Sequence, residues 1–276
     1  MTGVQTCALP ILTGNENART AQARCPTLAG EPRIVSTAEH YDLLIEEGND
    51  PFRDGPLLQQ YMSRWDGPQF FSALGSVEGK DVLEVGVGTG RLARRVLDAG
   101  CRTFTGLDIS AKAVERAQEN LSGYANVRIV LGNIEDYQFS DCFDVAYSVL
   151  TFMHVERKKQ ALANIVNALH PYGVLVLSLS SEGEWLDFGS RRVKLHNAPV
   201  EDYIGWLIEL GCRVDPPVDL IDRACWTQGS CGASNESSHG CQRVVKVATL
   251  LRAQRLGAQP TVEVSAVFDR HSTDWA

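Results

Sequence analysis

The chain has 276 residues, 44% of them hydrophobic and 22% charged, enough for one full core and near the size at which chains begin to split into domains. A net charge of −8, from 34 acidic and 26 basic residues, with no Lys/Arg block to track phosphates, argues against nucleic acid as a partner. The uncharged stretch from Val145 to Met153 is broken by Ser148 and Thr151 and falls short of the roughly 20 apolar residues that span a bilayer. Eight cysteines scattered along the chain without a secretory segment fit reduced thiols and a cytoplasmic location.

In chain order, MTGVQTCALPI (residues 1–11) lacks the basic start of a signal peptide. It resembles the conceptual translation of a sequencing-adapter oligonucleotide and is set aside. Residues 1–36 as a whole are polar or Ala/Gly/Pro-interrupted without periodicity, the composition of a disordered lead-in. Residues 37–76 are expected to form a helical cap, with helices over 38–47 and 57–74, the second interrupted at Gly67-Pro68. Tyr41, Tyr61, Trp65, Phe70 and Phe71 give this segment its aromatic character.

From residue 77 the chain alternates short β-rich apolar runs with amphipathic helical runs, the pattern of an α/β domain with a parallel sheet. Strands are expected over 81–85, 103–107, 127–131, 143–148 and 174–179. Leu92, Ala93, Val96 and Leu97 mark one helix, Ser110 caps a second, and Leu162, Ile165, Val166 and Leu169 stripe a third. After a helix over 201–210, Val214 to Leu220 reads as a strand, and either Arg243–Leu250 or Thr261–Phe268 as the last. The domain is placed at 77–250, with 251–276 an unassigned tail. Cys225, Cys231, His239 and Cys241 lack a C-x-x-C pair and read as loop thiols, so no metal is expected.

The most informative segment is VLEVGVGTGRL, residues 82–92, where a strand runs into Gly86, Gly88 and Gly90 and then into a helix. Ligands of open α/β sheets bind at the carboxyl ends of the strands, where a missing Cβ lets them approach the backbone. A dinucleotide fingerprint needs its third glycine one residue later, where Arg91 stands. Glu84 would repel a pyrophosphate but attract an ammonium or sulfonium group. Asp108, ending the next strand, is placed to accept hydrogen bonds from ribose hydroxyls.

With those residues the sequence resembles the class I S-adenosylmethionine-dependent methyltransferases over roughly Tyr41 to Leu179 and more loosely to about Leu250. GNIEDYQF (132–139), FDVAYSVLTFMHV (143–155) and HPYGVLVLSL (170–179) are similar to the family's later segments. The resemblance implies a Rossmann-like α/β fold: a mainly parallel seven-stranded sheet flanked by helices, with a final antiparallel strand. It implies S-adenosyl-L-methionine as cofactor, held by Glu84, Gly86, Val87, Gly88, Gly90, Asp108, Ile109, Asn133, Ile134 and Ser148. Asn133 stands where the family has an acid for the adenine amino group, and its amide oxygen can replace that acid.

The Asn/Asp/Ser-Pro-Pro-aromatic motif of nucleobase and amide methyltransferases is missing after the fourth strand, and Asp215-Pro216-Pro217-Val218 reads as a turn and strand entry. A small-molecule methyl acceptor is therefore expected, with neither nucleic acid nor membrane as partner. Methyl transfer from a sulfonium needs alignment more than acid–base help, so no catalytic residue is assigned, and His154 is the weak candidate base. The segment Ser180–Pro199, with Trp185, Asp187, Arg191, Arg192 and His196, is read as loop facing the acceptor. A noncatalytic S-adenosylmethionine-binding protein and an NAD-binding oxidoreductase stay open as alternatives.

Overall fold

A computed structural model of the protein describes residues 32–180, 183–225 and 242–257. The expected loop thiols at Cys231, His239 and Cys241, the strand considered at 261–268, the adapter-like start and the side chains of Tyr61 and Trp65 lie outside the described residues.

The chain opens with β1 (Arg33–Val35), α1 (Thr37–Glu46) and α2 (Pro56–Leu74). It continues with β2 (Asp81–Val85), α3 (Arg91–Asp98), β3 (Thr103–Asp108), α4 (Ala111–Asn120), β4 (Val127–Leu131) and β5 (Phe143–Val149). Next come α5 (Lys158–Asn167), β6 (Leu169–Leu179), β7 (Trp185–Asp187), β8 (Arg191–Lys194) and α6 (Val200–Glu209). The last elements are β9 (Cys212–Val214), β10 (Val218–Cys225) and β11 (Gln242–Arg255).

The central sheet runs β10-β11-β6-β5-β2-β3-β4, seven strands in a continuous path, with β9 added beside β11. Strands β6, β5, β2, β3 and β4 are mutually parallel, and β11 is antiparallel to both β6 and β10. This is the α/β arrangement that the alternation of runs predicts. Successive residues of each strand face opposite sides, so Val82 and Val145 enter one core with α2, α3 and α4 while Leu83 and Ala146 enter the other with α5 and α6. Both faces are covered, which is why the strands are nearly continuous apolar runs.

Helix α4 starts where Ser110 Oγ accepts from the Ala113 N–H at 3.0 Å, satisfying one of the donors that every helix start leaves open. Helix α2 departs from expectation, since it runs unbroken through Pro68. A proline inside a helix costs about 3 kcal/mol, but Phe70 and Leu74 beyond it are buried in the core, each worth about 1.5–3 kcal/mol. Tertiary packing outweighs the local break.

Three further segments differ from the sequence expectation. Residues 33–35, inside the stretch expected to be disordered, form β1, which pairs in parallel with β8. The segment read as loop after β6 contains the β7–β8 hairpin, so β1, β8 and β7 make a separate three-stranded sheet. The strand expected at 214–220 is divided by Pro216-Pro217 into β9 and β10, as follows from proline's missing N–H. The last strand, β11, takes the first of the two positions considered and continues past Leu250 to Arg255.

Candidate active site

The three glycines after β2 all adopt left-handed backbone, with φ of 81°, 54° and 90° at Gly86, Gly88 and Gly90. Their reasons differ. A Cβ on Gly86 would stand 2.1 Å from Thr151 Oγ1, and one on Gly90 would stand 2.9 Å from the Leu121 side chain. Those two positions are closed by the protein's own packing. Only at Gly88 does the space in front of the Cα lie open, with nothing within 4 Å. Ligand approach, invoked from sequence for the whole turn, therefore applies to Gly88. Val87 between them is buried in the core, and the Gly86 N–H donates to the Leu107 carbonyl at 2.8 Å, fixing the turn over the end of β3.

Asp108 ends β3 beside this turn. Its Oδ2 accepts from the Gly88 N–H at 2.8 Å and its Oδ1 from the Ser110 N–H at 3.0 Å. Burial raises its pKa, and these backbone donors offset only part of the rise. A carboxylate has about four acceptor positions, so two are left for ligand hydroxyls. The structure thus joins the two parts of the motif directly: the acid shapes the loop that the glycine opens.

Glu84 is buried on β2, directly opposite Tyr147 of β5 in the sheet register. The Tyr147 hydroxyl donates to Glu84 Oε2 at 2.8 Å. Burial pushes the Glu84 pKa up to about 8, against the lowering effect of Tyr147 and of Arg91. The carboxyl is therefore largely neutral at pH 7 until a cation arrives. On the same side of the sheet, Arg91 at the start of α3 forms a two-pronged pair with Asp66 of α2, at 2.6 and 3.0 Å. That pair leaves Arg91 13% exposed and Asp66 2% exposed.

The remaining expected contacts are used in different ways. Ile109, beside Asp108, is exposed and offers an apolar surface. Ile134 is buried among Leu107, Leu162 and Ile165, and its side chain faces the core. Asn133 Oδ1 accepts from the Glu135 N–H at 3.0 Å, an Asx turn that commits one lone pair of the oxygen expected to read adenine. Ser148 is buried and its Oγ donates to the Val85 carbonyl at 2.8 Å, locking β5 to β2. Just beyond, Leu150 sits at φ 53°, a left-handed conformation that costs a non-glycine residue about 1–2 kcal/mol. It turns the chain so that Thr151 meets Gly86.

His154 lies in the short 3₁₀ turn Phe152–His154 after β5. Its Nε2 is 2.9 Å from the Tyr41 hydroxyl of α1. Burial, with the neighbouring His40, His196 and Lys158, lowers its pKa to about 4, so it is a neutral imidazole near pH 7. Helix α1 also reaches the cofactor side, since Asp42 Oδ1 accepts from Ser110 Oγ at 2.6 Å and from the Lys112 N–H at 3.0 Å. Arg191 is no open-loop residue: it is buried, pairs with Glu47 at 2.5 and 2.7 Å and donates from Nε to His40 Nδ1 at 3.0 Å. Arg192 pairs with Asp187 at 2.7 Å on the surface.

Sequence reasoning missed Tyr147, Asp66, Thr151 and Asp42. Each meets its partner through tertiary placement, with no spacing in the chain to announce it. A cavity of about 540 Å³ lined by Lys158, His196, Asp202 and Trp206 lies along the segment after β8 and touches none of the expected cofactor residues. Among the described residues no group of three or more His, Cys, Asp or Glu could hold a metal, and no helix is long and apolar enough to cross a membrane.

The turn therefore fits the group that the sequence resemblance implies: open at Gly88, acidic at Asp108, protonatable at Glu84 and apolar at Ile109. Residues 83–177 match a family model described as a methyltransferase domain. The chain is 33% identical over 109 residues to O-methyltransferase rstn1 of Aspergillus nomiae, a match covering 38% of this chain and 48% of that protein. It is 28% identical over 189 residues to the tRNA U34 carboxymethyltransferase of Cellvibrio japonicus, covering 62% of this chain and 59% of the relative. Neither match reaches two thirds of the relative's own length. The fold is shared with magnesium protoporphyrin IX methyltransferase of Synechocystis PCC 6803, at a TM-score of 0.55 and 15% identity over 79% of this chain and 94% of that one. The chain thus carries a methyltransferase domain over residues 83–177 and has the fold of S-adenosylmethionine-dependent methyltransferases.

Proposed function

We propose that the protein transfers a methyl group from S-adenosyl-L-methionine to a small-molecule acceptor. The observation that carries this reading is the clamp of Asp108 on the Gly88 N–H, at the carboxyl ends of β2 and β3, where Gly88 alone opens outward. When bound, the cofactor supplies a methyl group on a positively charged sulfur, a leaving group that needs no further activation.

In this reading the chain's residues hold and orient. Asp108 accepts from the ribose hydroxyls, Ile109 packs on the base, and the Gly88 backbone lies against the methionine part. Glu84 gives up its proton to face the ammonium or sulfonium charge, with Tyr147 holding the carboxylate formed. Helix α1, tied to Ser110 and Lys112 through Asp42, covers the site and keeps water from the reacting atoms. Alignment of this kind can supply about 7–11 kcal/mol of the barrier.

Relatives carry names that point both ways on the acceptor: O-methyltransferase and malonyl-[acyl-carrier protein] O-methyltransferase on one side, a tRNA-modifying enzyme on the other. The net charge of −8 and the covering helix favour a small molecule. Arg91, in the place of a dinucleotide glycine and bound to Asp66, argues against NAD. Calorimetric titration with S-adenosylmethionine, its demethylated product and NADH tests the reading. Micromolar binding of the adenosyl compounds with none of NADH supports it; NADH binding alone, or no binding by a folded sample, defeats it. Label transfer from the methyl group separates an enzyme from a noncatalytic binder.

A further inference from the structure

Among the described residues, two buried side-chain polar atoms have no hydrogen-bond partner: His40 Nε2 and His154 Nδ1. They come from segments far apart in the chain, yet both rings pack edge-on against one residue, Tyr41, with ring centroids at 5.1 and 5.4 Å. An unpaired buried polar atom costs about 1–3 kcal/mol. Two of them on rings packed against one tyrosine, which itself feels the charge of Asp108, mark a place for a ligand.

The hydrogen bonds already made settle what these atoms offer. Arg191 Nε, which can only donate, is 3.0 Å from His40 Nδ1, so Nδ1 accepts and the proton of neutral His40 is on Nε2. Tyr41 Oη is 2.9 Å from His154 Nε2. A phenol is the better donor and an imidazole nitrogen the better acceptor, which places the His154 proton on Nδ1. Both orphans are then N–H donors. Burial lowers the pKa of each ring to about 4, so near neutral pH they donate hydrogen bonds and take up protons poorly. Phe188, 4.5 Å from the His40 ring, adds an apolar wall.

We propose that His40 Nε2–H and His154 Nδ1–H, both on rings packed against Tyr41, form the acceptor subsite and bind a carboxylate, so that the reaction makes a methyl ester. This rests on the methyltransferase reading above. One carboxylate oxygen forms the new O–CH₃ bond with an electron pair it already carries. The S–CH₃ bond breaks with its pair staying on sulfur, which becomes a neutral thioether, and no proton moves. A hydroxyl acceptor must lose a proton to a base, and neither ring has a free lone pair to take it, since His40 Nδ1 accepts from Arg191 and His154 Nε2 from Tyr41.

The full chain, saturated with S-adenosylhomocysteine, is titrated with acetate as a site-sized probe, and the imidazole nitrogens are followed by long-range ¹H–¹⁵N correlation. Acetate should shift the ring signals of His40 and His154 together, and His40→Gln should lose the effect while calorimetry shows unchanged S-adenosylhomocysteine affinity. In turnover with methyl-labelled cofactor, a panel of aliphatic and aromatic carboxylic acids, with the matching alcohols and amines, should give a product that releases labelled methanol in alkali. His40→Gln and His154→Gln should raise KM for the acid about 10- to 100-fold, the loss expected of a hydrogen bond to a charged group. Shifts absent from both rings, a base-stable product, or no transfer to any acid by a protein that binds the cofactor would each overturn the proposal. Failure to bind the cofactor at all would instead strike the reading on which it rests.

Discussion

The Tyr147 hydroxyl and the Glu84 carboxyl, both buried, meet across adjacent parallel strands at 2.8 Å. Strand register brings them together, since Glu84 is opposite Tyr147, and burial keeps the carboxyl protonated to about pH 8. The acid read from sequence as a standing negative charge is instead a latent one.

Cofactor binding should therefore release a proton. A cationic ligand favours the carboxylate form of Glu84, so its pKa falls on binding. Calorimetry at pH 7 in two buffers of different ionisation enthalpy should show close to one proton released, fading above pH 9, where Glu84 is already ionised. Glu84→Gln should abolish the release and weaken binding.

The same residue tilts the stability curve. Its folded pKa is raised, so between the ordinary carboxylate range and about pH 8 the folded state holds a proton that the unfolded state has lost. Stability then falls as pH rises through that window. The melting temperature of the free protein should drop from pH 6 to 8.5, and Glu84→Gln should flatten this dependence.

Gly86 and Gly88 should respond in opposite ways. Gly88→Asp places a side chain in open space at a φ of 54°, a left-handed conformation that costs about 1 kcal/mol, so the variant should melt a few degrees below the parent while losing cofactor binding. Gly86→Ala must displace Thr151 and should cost about 1–3 kcal/mol, seen as a shifted urea midpoint.

Asp108→Asn keeps one oxygen for the loop but removes the charge, and should weaken S-adenosylmethionine binding by about 1.5–3 kcal/mol. Titration of the variant gives the number directly; unchanged affinity would remove Asp108 from the site.

Asp66→Asn leaves Arg91 in a largely enclosed position without its counter-charge. Loss of one partner of a buried pair costs about 3–5 kcal/mol, and the slight exposure of Arg91 places the expectation near the lower figure. Chemical denaturation at pH 7 measures it.

The central sheet was legible because both of its faces are covered, so apolar runs stand out, and because Gly86, Gly88, Gly90 and Asp108 lie on or beside one βα turn. The strand split at Pro216-Pro217 was half legible, since prolines announce a break but not the pairing on either side. What stayed hidden depends on contacts between distant segments. Ser148 and Tyr147 are neighbours in sequence, yet strand alternation sends them to opposite faces, and only the order of strands shows that Tyr147 reaches Glu84. Ile134, adjacent to a polar turn, reads as a ligand contact, and its burial in the core with Leu162 and Ile165 could not be read from its neighbours in sequence. Arg191 reads as exposed loop because its partners, His40 in α1 and Glu47 at its C-terminal cap, lie far earlier in the chain.

The small sheet of β1, β8 and β7 shares no strand with the central one. Beginning the polypeptide at Ser36, which the irregular composition before it would invite, removes β1 and bares the backbone of β8 as an open edge. Helix α1 would then keep its side-chain ties to Asp108's neighbourhood but lose the strand that anchors the chain leading into it. Substitutions in this sheet can move α1 and its side chains while the main-chain bonds of the glycine turn, which this sheet does not share, stay in place.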